Sequence, residues 1–241
     1  MPLDYLAHLR ADGAALSVAA HAGSLTAGVP SCPEWDVSAL LVHTSRVHRW
    51  AADAVLGGGE RPGRMAKPPE DVATWFDDGL ANLLAALEAT PATAPAWSFF
   101  DPAGSVAFWQ RRMAQETTVH RWDAEVARGM PATIDASLAA DGIDEALDLF
   151  ARRRIAQTDH CVDTGGSLHV HCTDVEGEWT FQATGQSFEL TRGHSKGNVA
   201  VRGSAEALLL LLWGRTALET AAVEVFGDET VLHRWLAGDK P

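Results

Sequence analysis

Apolar residues recur at helical spacing through roughly the first 130 positions of the chain and switch to alternation after about residue 158, so its secondary structure changes type part-way along. From Leu3 to about Ala22 an Ala- and Leu-rich pattern predicts a first helix that ends near Gly23 and Gly28. Pro30 and Pro33 in VPSCPEW forbid continuation, and Asp36 is placed to cap a second helix that runs to about Val55, ahead of Gly57, Gly58 and Gly59. A third follows Pro68 and Pro69 through TWFDDGLANLLAALEA to Thr90, and a fourth spans about Ala103 to Arg128. Four amphipathic helices of this length bury their stripes most simply as a bundle, whose facing helices commonly host a metal or cofactor.

A fifth helix, from about Ser137 to Ala156, precedes the change of period. SLHVHCTD, GEWTFQAT, QSFELTRG and GNVAVRGS are then short, alternating and separated by Gly and polar turns, and they predict an antiparallel sheet. AEALLLLLWGR is expected to lie against that sheet as a helix, followed by a strand at about AAVEVFG and a last helix in ETVLHRWLAG. The fold class is α+β with two domains: a helical one at residues 1–135, then a bridging helix and a small α+β domain at 136–241.

The fourth helix carries the candidate chemistry. In ETTVHRWDAE, Glu116, His120 and Asp123 recur at i, i+4 and i+7 and share a face with Trp109, Met113 and Ala127. Burying a carboxylate and an imidazole there without partners costs roughly 2–7 kcal/mol for a polar group and more for a charge. Either a metal ion satisfies them or a Glu–His hydrogen bond that only organises a core does. The second helix offers two further histidines. On the stripe defined by Leu40, Leu41, Thr44 and Ala51, His48 falls near the centre and His43 on the flank, so periodicity alone favours His48.

Composition narrows the function classes. Lys and Arg total 19 against 32 Asp and Glu, a net charge of −13, which leaves no basic field for a phosphate backbone and excludes nucleic acid as the expected partner. The short cluster Arg152, Arg153, Arg154 reads as a solvated face or a helix C-terminal bias. MPLDYLAHLRADG has no uninterrupted apolar core of signal-peptide length, so a cytoplasmic protein is expected, and the run from Leu208 to Trp213 is far shorter than the about 20 residues a bilayer needs. Cys32, Cys161 and Cys172 are widely spaced and predict reduced, mostly buried thiols. Trp35, Trp50, Trp109 and Trp122 are expected to wedge the helices together. His169 and His171 share one face of a strand, a spacing seen at metal sites, but with no third ligand nearby in sequence they read as partly exposed sheet residues.

CPEWDVSALLVH, in which His43 stands eight residues after Trp35, and ETTVHRWD together resemble the two signatures of the mycothiol-dependent maleylpyruvate isomerases of actinobacteria, within the DinB-like metalloprotein superfamily. LLLLLWGR, ending at Arg215, is similar to a third feature of that family, an arginine after a short helix. The resemblance spans most of the chain and implies a DinB-like four-helix bundle followed by a small α+β domain of sterol-carrier-like topology. It also implies a divalent metal, usually zinc, held by His43, Glu116 and His120, with Asp123 and Arg215 as catalytic residues. Two histidines and one carboxylate leave an open metal position, as catalytic zinc requires.

The implied activity is that of a cytoplasmic enzyme in which mycothiol or another low-molecular-weight thiol, activated at the metal, adds to a small electrophile and brings about cis–trans isomerisation or S-transfer. Asp123 either orients His120 or is a surface carboxylate near Arg128, and Arg215 either pairs with a substrate carboxylate or makes a structural salt bridge. The loop after the second helix departs from the family. It reads MAKPPEDV, with Lys67 the nearest cation, where the isomerases carry an Arg-Asn pair followed by acids, so the metal chemistry transfers better than the substrate. The competing classes are a metal-dependent hydrolase, marked by turnover without thiol, and a non-catalytic small-molecule binder, marked by an apolar pocket with His43 or Glu116 dispensable.

Overall fold

The computed structural model describes residues 3–101, 104–150, 165–184 and 187–237. It divides into two compact units, Met1–Thr133 and Ile134–Pro241.

The first unit is a bundle of α1 (Tyr5–His21), α2 (Val37–Leu56), α3 (Val72–Ala89) and α4 (Val106–Ala127), with a two-stranded hairpin of β1 (Gly28–Val29) and β2 (Cys32–Asp36) between α1 and α2. Each of the first three helices starts at an Asp whose side chain accepts a backbone N–H of the first turn: Asp4 from Ala7, Asp36 from Ala39 and Asp71 from Thr74. At the other end of α1, Arg128 donates to the carbonyls of Ala19 at 2.9 Å and Ser24 at 2.6 Å, supplying donors that the last turn lacks. Helix α1 packs on α3 and α4, and α2 on the same two partners. A Cβ at Gly13 would lie 2.5 Å from Leu80 Cδ2, so glycine sets how closely α1 approaches α3. The hairpin was not anticipated; its residues lie in the stretch that Pro30 and Pro33 mark only as non-helical.

Helix α4 is the central element of the bundle. It is buried continuously from Arg112 to Arg121, so its polar side chains must find partners inside the protein. Arg121 meets Glu125 at 2.7 Å and Asp12 of α1 at 3.2 Å, and Thr118 donates to the same Asp12. Trp109, fully buried, packs edge-on against Trp50, Phe99 and Phe108 and donates its indole N–H to the Trp97 carbonyl at 2.7 Å. Trp50 and Trp109 therefore wedge the helices as expected. Trp35 stands on β2 and not in a helix, with its ring against His43 of α2 and His120 of α4.

The second unit begins with α5 (Ala136–Glu145), which continues as a π-helical turn through Ala146–Phe150; the rest of the predicted fifth helix, with Arg152, Arg153 and Arg154, and Cys161 lie outside the described residues. It continues with β3 (Ser167–Cys172), β4 (Glu178–Thr184), β5 (Ser187–Arg192), β6 (Val199–Gly203), α6 (Ala205–Leu212), β7 (Val223–Gly227) and α7 (Glu229–Leu236). The five strands lie in the order β5-β4-β3-β6-β7. The sheet is mixed rather than antiparallel, because β6 pairs with β3 in parallel. β3, β4 and β5 form a meander, but residues 193–198 return across the sheet instead of turning back on β5, and so deliver β6 to the far side of β3 pointing the same way. Alternating residues of β3 and β4, Leu168, Val170, Phe181 and Trp179, are buried together. Cys172 is also buried, and burial pushes its thiol up to about 12, beyond reach of ionisation at neutral pH. Among the described residues no helix is long and apolar enough to cross a membrane.

Two stability predictions follow from the bundle. Trp109→Ala removes the hub of the aromatic cluster and is expected to lower stability by about 3–5 kcal/mol in urea unfolding. His48 is fully buried, and burial pushes its imidazole from 6.5 down to about 3, so the folded state keeps it neutral. Below pH 6.5 the unfolded chain takes up a proton that the folded chain refuses; stability is therefore full above that pH and falls by up to about 1.4 kcal/mol per pH unit on the way toward pH 3. His48→Gln is expected to flatten this acid limb of the urea midpoint; an unchanged slope would contradict it.

Candidate metal centre

Glu116, His120 and Asp123 lie one turn apart along α4, and the structure brings His43 of α2 to the same place. Glu116 Oε1 stands 2.9 Å from His43 Nε2 and 3.4 Å from His120 Nε2. Its other oxygen, Oε2, accepts from Arg112 Nη2 at 2.7 Å. One ligand atom from each of His43, Glu116 and His120 lies within 4.8 Å of the others. Periodicity had favoured His48 over His43, but His48 Nε2 is 2.8 Å from Thr117 Oγ1 instead, and its Nδ1 has no hydrogen-bond partner among the described residues. The flank position matters because it lets a side chain reach the rim: the His43 side chain is 39% exposed, against 6% for His120 and 11% for Glu116.

Asp123 is fully buried; its Oδ2 lies 3.0 Å from His120 Nδ1, and its Oδ1 accepts from the Ser31 hydroxyl at 2.6 Å. A carboxylate there makes Nδ1 the protonated nitrogen and turns Nε2 toward Glu116 and His43. Arg128, the alternative partner for Asp123, is engaged with the end of α1. The electrostatics reinforce this geometry. Burial pushes the Glu116 carboxyl upward, but hydrogen bonds from His120 and His43, and the charge of His120 and Arg112, hold it well below the usual carboxylate range. Burial pushes the His120 imidazole down, yet its bonds to Asp123 and Glu116 and their charges leave it raised overall.

The hairpin supplies what the helices cannot. Ser31 sits in its turn, and Trp35 on β2 places its ring 5.0 Å from that of His43 and 5.9 Å from that of His120. Arg112 and Ser31 were not foreseen as site residues. The signal for Arg112 was present, because an arginine four residues before Glu116 shares its helix face. Ser31 carried none: a serine between two prolines gives no sign of a partner 92 positions away. Lys67 lies exposed in the loop after α2. Arg215, beyond the end of α6, donates from Nη1 to the Trp213 carbonyl at 3.0 Å and places its guanidinium 5.7 Å from the Trp213 ring centre.

The donor set fits a divalent cation of the zinc class. It offers two imidazole nitrogens and one carboxylate oxygen, a third group that fixes one imidazole through its second nitrogen, and a half-open edge at His43.

Residues 6–125 match the family model for the mycothiol maleylpyruvate isomerase N-terminal domain, and residues 137–234 match that for the MDMPI C-terminal domain. The chain belongs to the mycothiol-dependent maleylpyruvate isomerase family, a family of enzymes. Its fold is shared by solved structures. A mycothiol-dependent maleylpyruvate isomerase superposes with a TM-score of 0.66 at 15% identity, and a histidine-to-alanine mutant of such an enzyme with 0.64 at 14%, each over 93% of this chain and 93% of its own. No curated protein matches the sequence significantly. The mixed architecture, a helical unit followed by a sheet unit, is thus that of the maleylpyruvate isomerase family.

The buried Arg112–Glu116 pair generates a prediction. Arg112→Met leaves Oε2 of a buried carboxylate without its charged partner and is expected to cost about 3–5 kcal/mol in urea unfolding at pH 7, and less at acid pH where Glu116 takes a proton. A pH-independent loss would contradict the assignment of charge.

Proposed function

We propose that this protein is a metal-dependent, thiol-utilising enzyme in which His43, Glu116 and His120 hold a divalent metal, zinc being the family's usual ion, and mycothiol is the thiol. The observation that carries this reading is the convergence of His43 Nε2 and His120 Nε2 on one oxygen of buried Glu116, beside an edge open to solvent. A cation held there lowers the pKa of a thiol, so that thiolate is available at neutral pH. Each side chain has a task. Asp123 keeps the proton of His120 on Nδ1 and so keeps Nε2 available as a ligand. Ser31 donates to Asp123 and holds that carboxylate in place, while Arg112 restrains Glu116 through the oxygen that does not face the imidazoles. Trp35 walls the site beside His43 and His120 and limits water there. Arg215 pairs with a substrate carboxylate in a bidentate fork.

The chemistry on the substrate is nucleophilic. The thiolate sulfur forms a bond to one carbon of an electron-poor cis alkene, and the electron pair of the double bond moves toward the conjugated carbonyl. Rotation about the new single bond, followed by return of the pair and loss of thiolate, gives the trans isomer with no net uptake of protons. Protonation of the same adduct gives S-transfer. Small unsaturated acids such as maleylpyruvate are the substrates this chemistry suits.

Turnover of maleylpyruvate followed by ultraviolet absorbance, with and without mycothiol, tests the reading. Strict dependence on thiol is expected; hydrolytic turnover without thiol would replace this reading with that of a metal-dependent hydrolase. Asp123→Asn is expected to lower kcat about 10–100-fold, the usual cost of losing such a supporting partner. Arg215→Met is expected to act mainly through KM.

A further inference from the structure

A second gathering of imidazoles lies in the C-terminal unit. The antiparallel register of β3 and β4 sets His171 opposite Glu178 and His169 opposite Thr180, on the face away from buried Leu168, Val170, Trp179 and Phe181. His171 Nδ1 lies 2.8 Å from Glu178 Oε1, and His169 Nε2 lies 3.9 Å from Glu178 Oε2. Thr180 Oγ1, 3.0 Å from His169 Nδ1, occupies the other nitrogen of that ring. The segment that crosses from β5 to β6 completes the group. The Gly193 N–H donates to the Glu178 carbonyl at 2.8 Å, and His194 Nδ1 comes within 3.0 Å of Glu178 Oε2. At Gly197 a Cβ would stand 2.8 Å from the backbone nitrogen of His169 and 3.0 Å from its Cβ, so this return path presses on His169.

One carboxylate has no need of three imidazoles to satisfy it, and one of these rings, His169, is only 6% exposed. The arrangement is that of a ligand set. Zinc–nitrogen and zinc–oxygen bonds of about 2.0–2.2 Å in a tetrahedron place neighbouring donors about 3.3–3.5 Å apart. The separations of 2.8 Å to Glu178 Oε1 and 3.9 Å to Glu178 Oε2 lie on either side of that value, and one ligand atom from each of His169, His171 and Glu178 lies within 4.8 Å of the others. His169 is held through its second nitrogen, as metal-bound histidines usually are. His171, Glu178 and His194 also line a cavity of about 640 Å³ that is edged by Asp141 and Glu176, an acidic approach for a cation.

We propose that His169, His171 and Glu178 form a second metal site, with His194 at its rim beside Glu178, for a borderline divalent cation of the zinc, nickel and copper(II) class. Imidazole-rich sets with one carboxylate select that class over magnesium or calcium, which take oxygen ligands. The site joins β3 and β4, and His194 of the crossing segment meets it through Glu178, so an ion bound there stabilises the unit by binding only its folded form. It is separate from the candidate centre at His43, Glu116 and His120, and does not depend on it.

The test is equilibrium zinc titration of the metal-stripped full-length protein against a chromophoric chelator, with circular dichroism to check folding. Wild type is expected to take up two equivalents, His171→Ala/His194→Ala one, and His120→Ala one. The first two of these substitutions are at partly or largely exposed rings, and Glu178→Gln, which keeps the shape of the side chain, is expected to lose the same equivalent. Zinc is further expected to raise the thermal midpoint of His120→Ala but not of His120→Ala combined with His171→Ala/His194→Ala. If His171→Ala/His194→Ala and wild type titrate alike, or wild type binds no zinc, the second site is overturned. If wild type takes up one equivalent that survives His120→Ala and disappears in His171→Ala/His194→Ala, the second site stands and the bundle's metal centre falls.

Discussion

The structure of the helical unit depends on one ionised carboxylate kept inside a bundle. Glu116 lies in the continuously buried part of α4, where an unpaired charge would cost several kcal/mol or more. Every group around it answers that cost. Arg112 takes one oxygen, His43 and His120 face the other, Asp123 holds His120 from behind, and Ser31 holds Asp123. The chain of contacts runs from α4 to α2 and to the hairpin between α1 and α2, so the polar site and the packing of the bundle are one construction. A carboxylate with such support stays ionised and oriented, as a ligand must.

How much of this was legible in the sequence depends on the distance over which the signal acts. The helices of the bundle were readable because each carries its own period, and the second an Asp cap at Asp36. The relation of Glu116, His120 and Asp123 was readable for the same reason, since i+4 and i+7 are local geometry. The choice between His43 and His48 was not, because it depends on which neighbour each side chain meets. The stripe centre is where a histidine is most deeply buried, and His48 is there, neutral and bonded to Thr117. His43 came into view only through its spacing from Trp35 in a family resemblance. The hairpin is two and five residues per strand and has no period long enough to detect.

The sheet shows the same limit more sharply. Alternation identified its strands, but alternation carries no direction, and the parallel pairing of β3 with β6 follows from where residues 193–198 go. That route also explains why His169 and His171 looked like isolated surface residues. Their partner Glu178 is brought by strand register and His194 by the crossing segment, and neither is visible along a single strand. His169 is buried rather than partly exposed, because the crossing segment runs against it.

X-ray absorption at the zinc edge of His171→Ala/His194→Ala protein loaded with one equivalent of zinc, before and after addition of mycothiol, tests most directly whether the bundle holds a thiol-activating metal. The account predicts a first shell of two imidazoles and oxygen that gains one sulfur when the thiol is added, and that His120→Ala abolishes. Failure of that protein to retain zinc, or a shell that neither responds to thiol nor depends on His120, would contradict it.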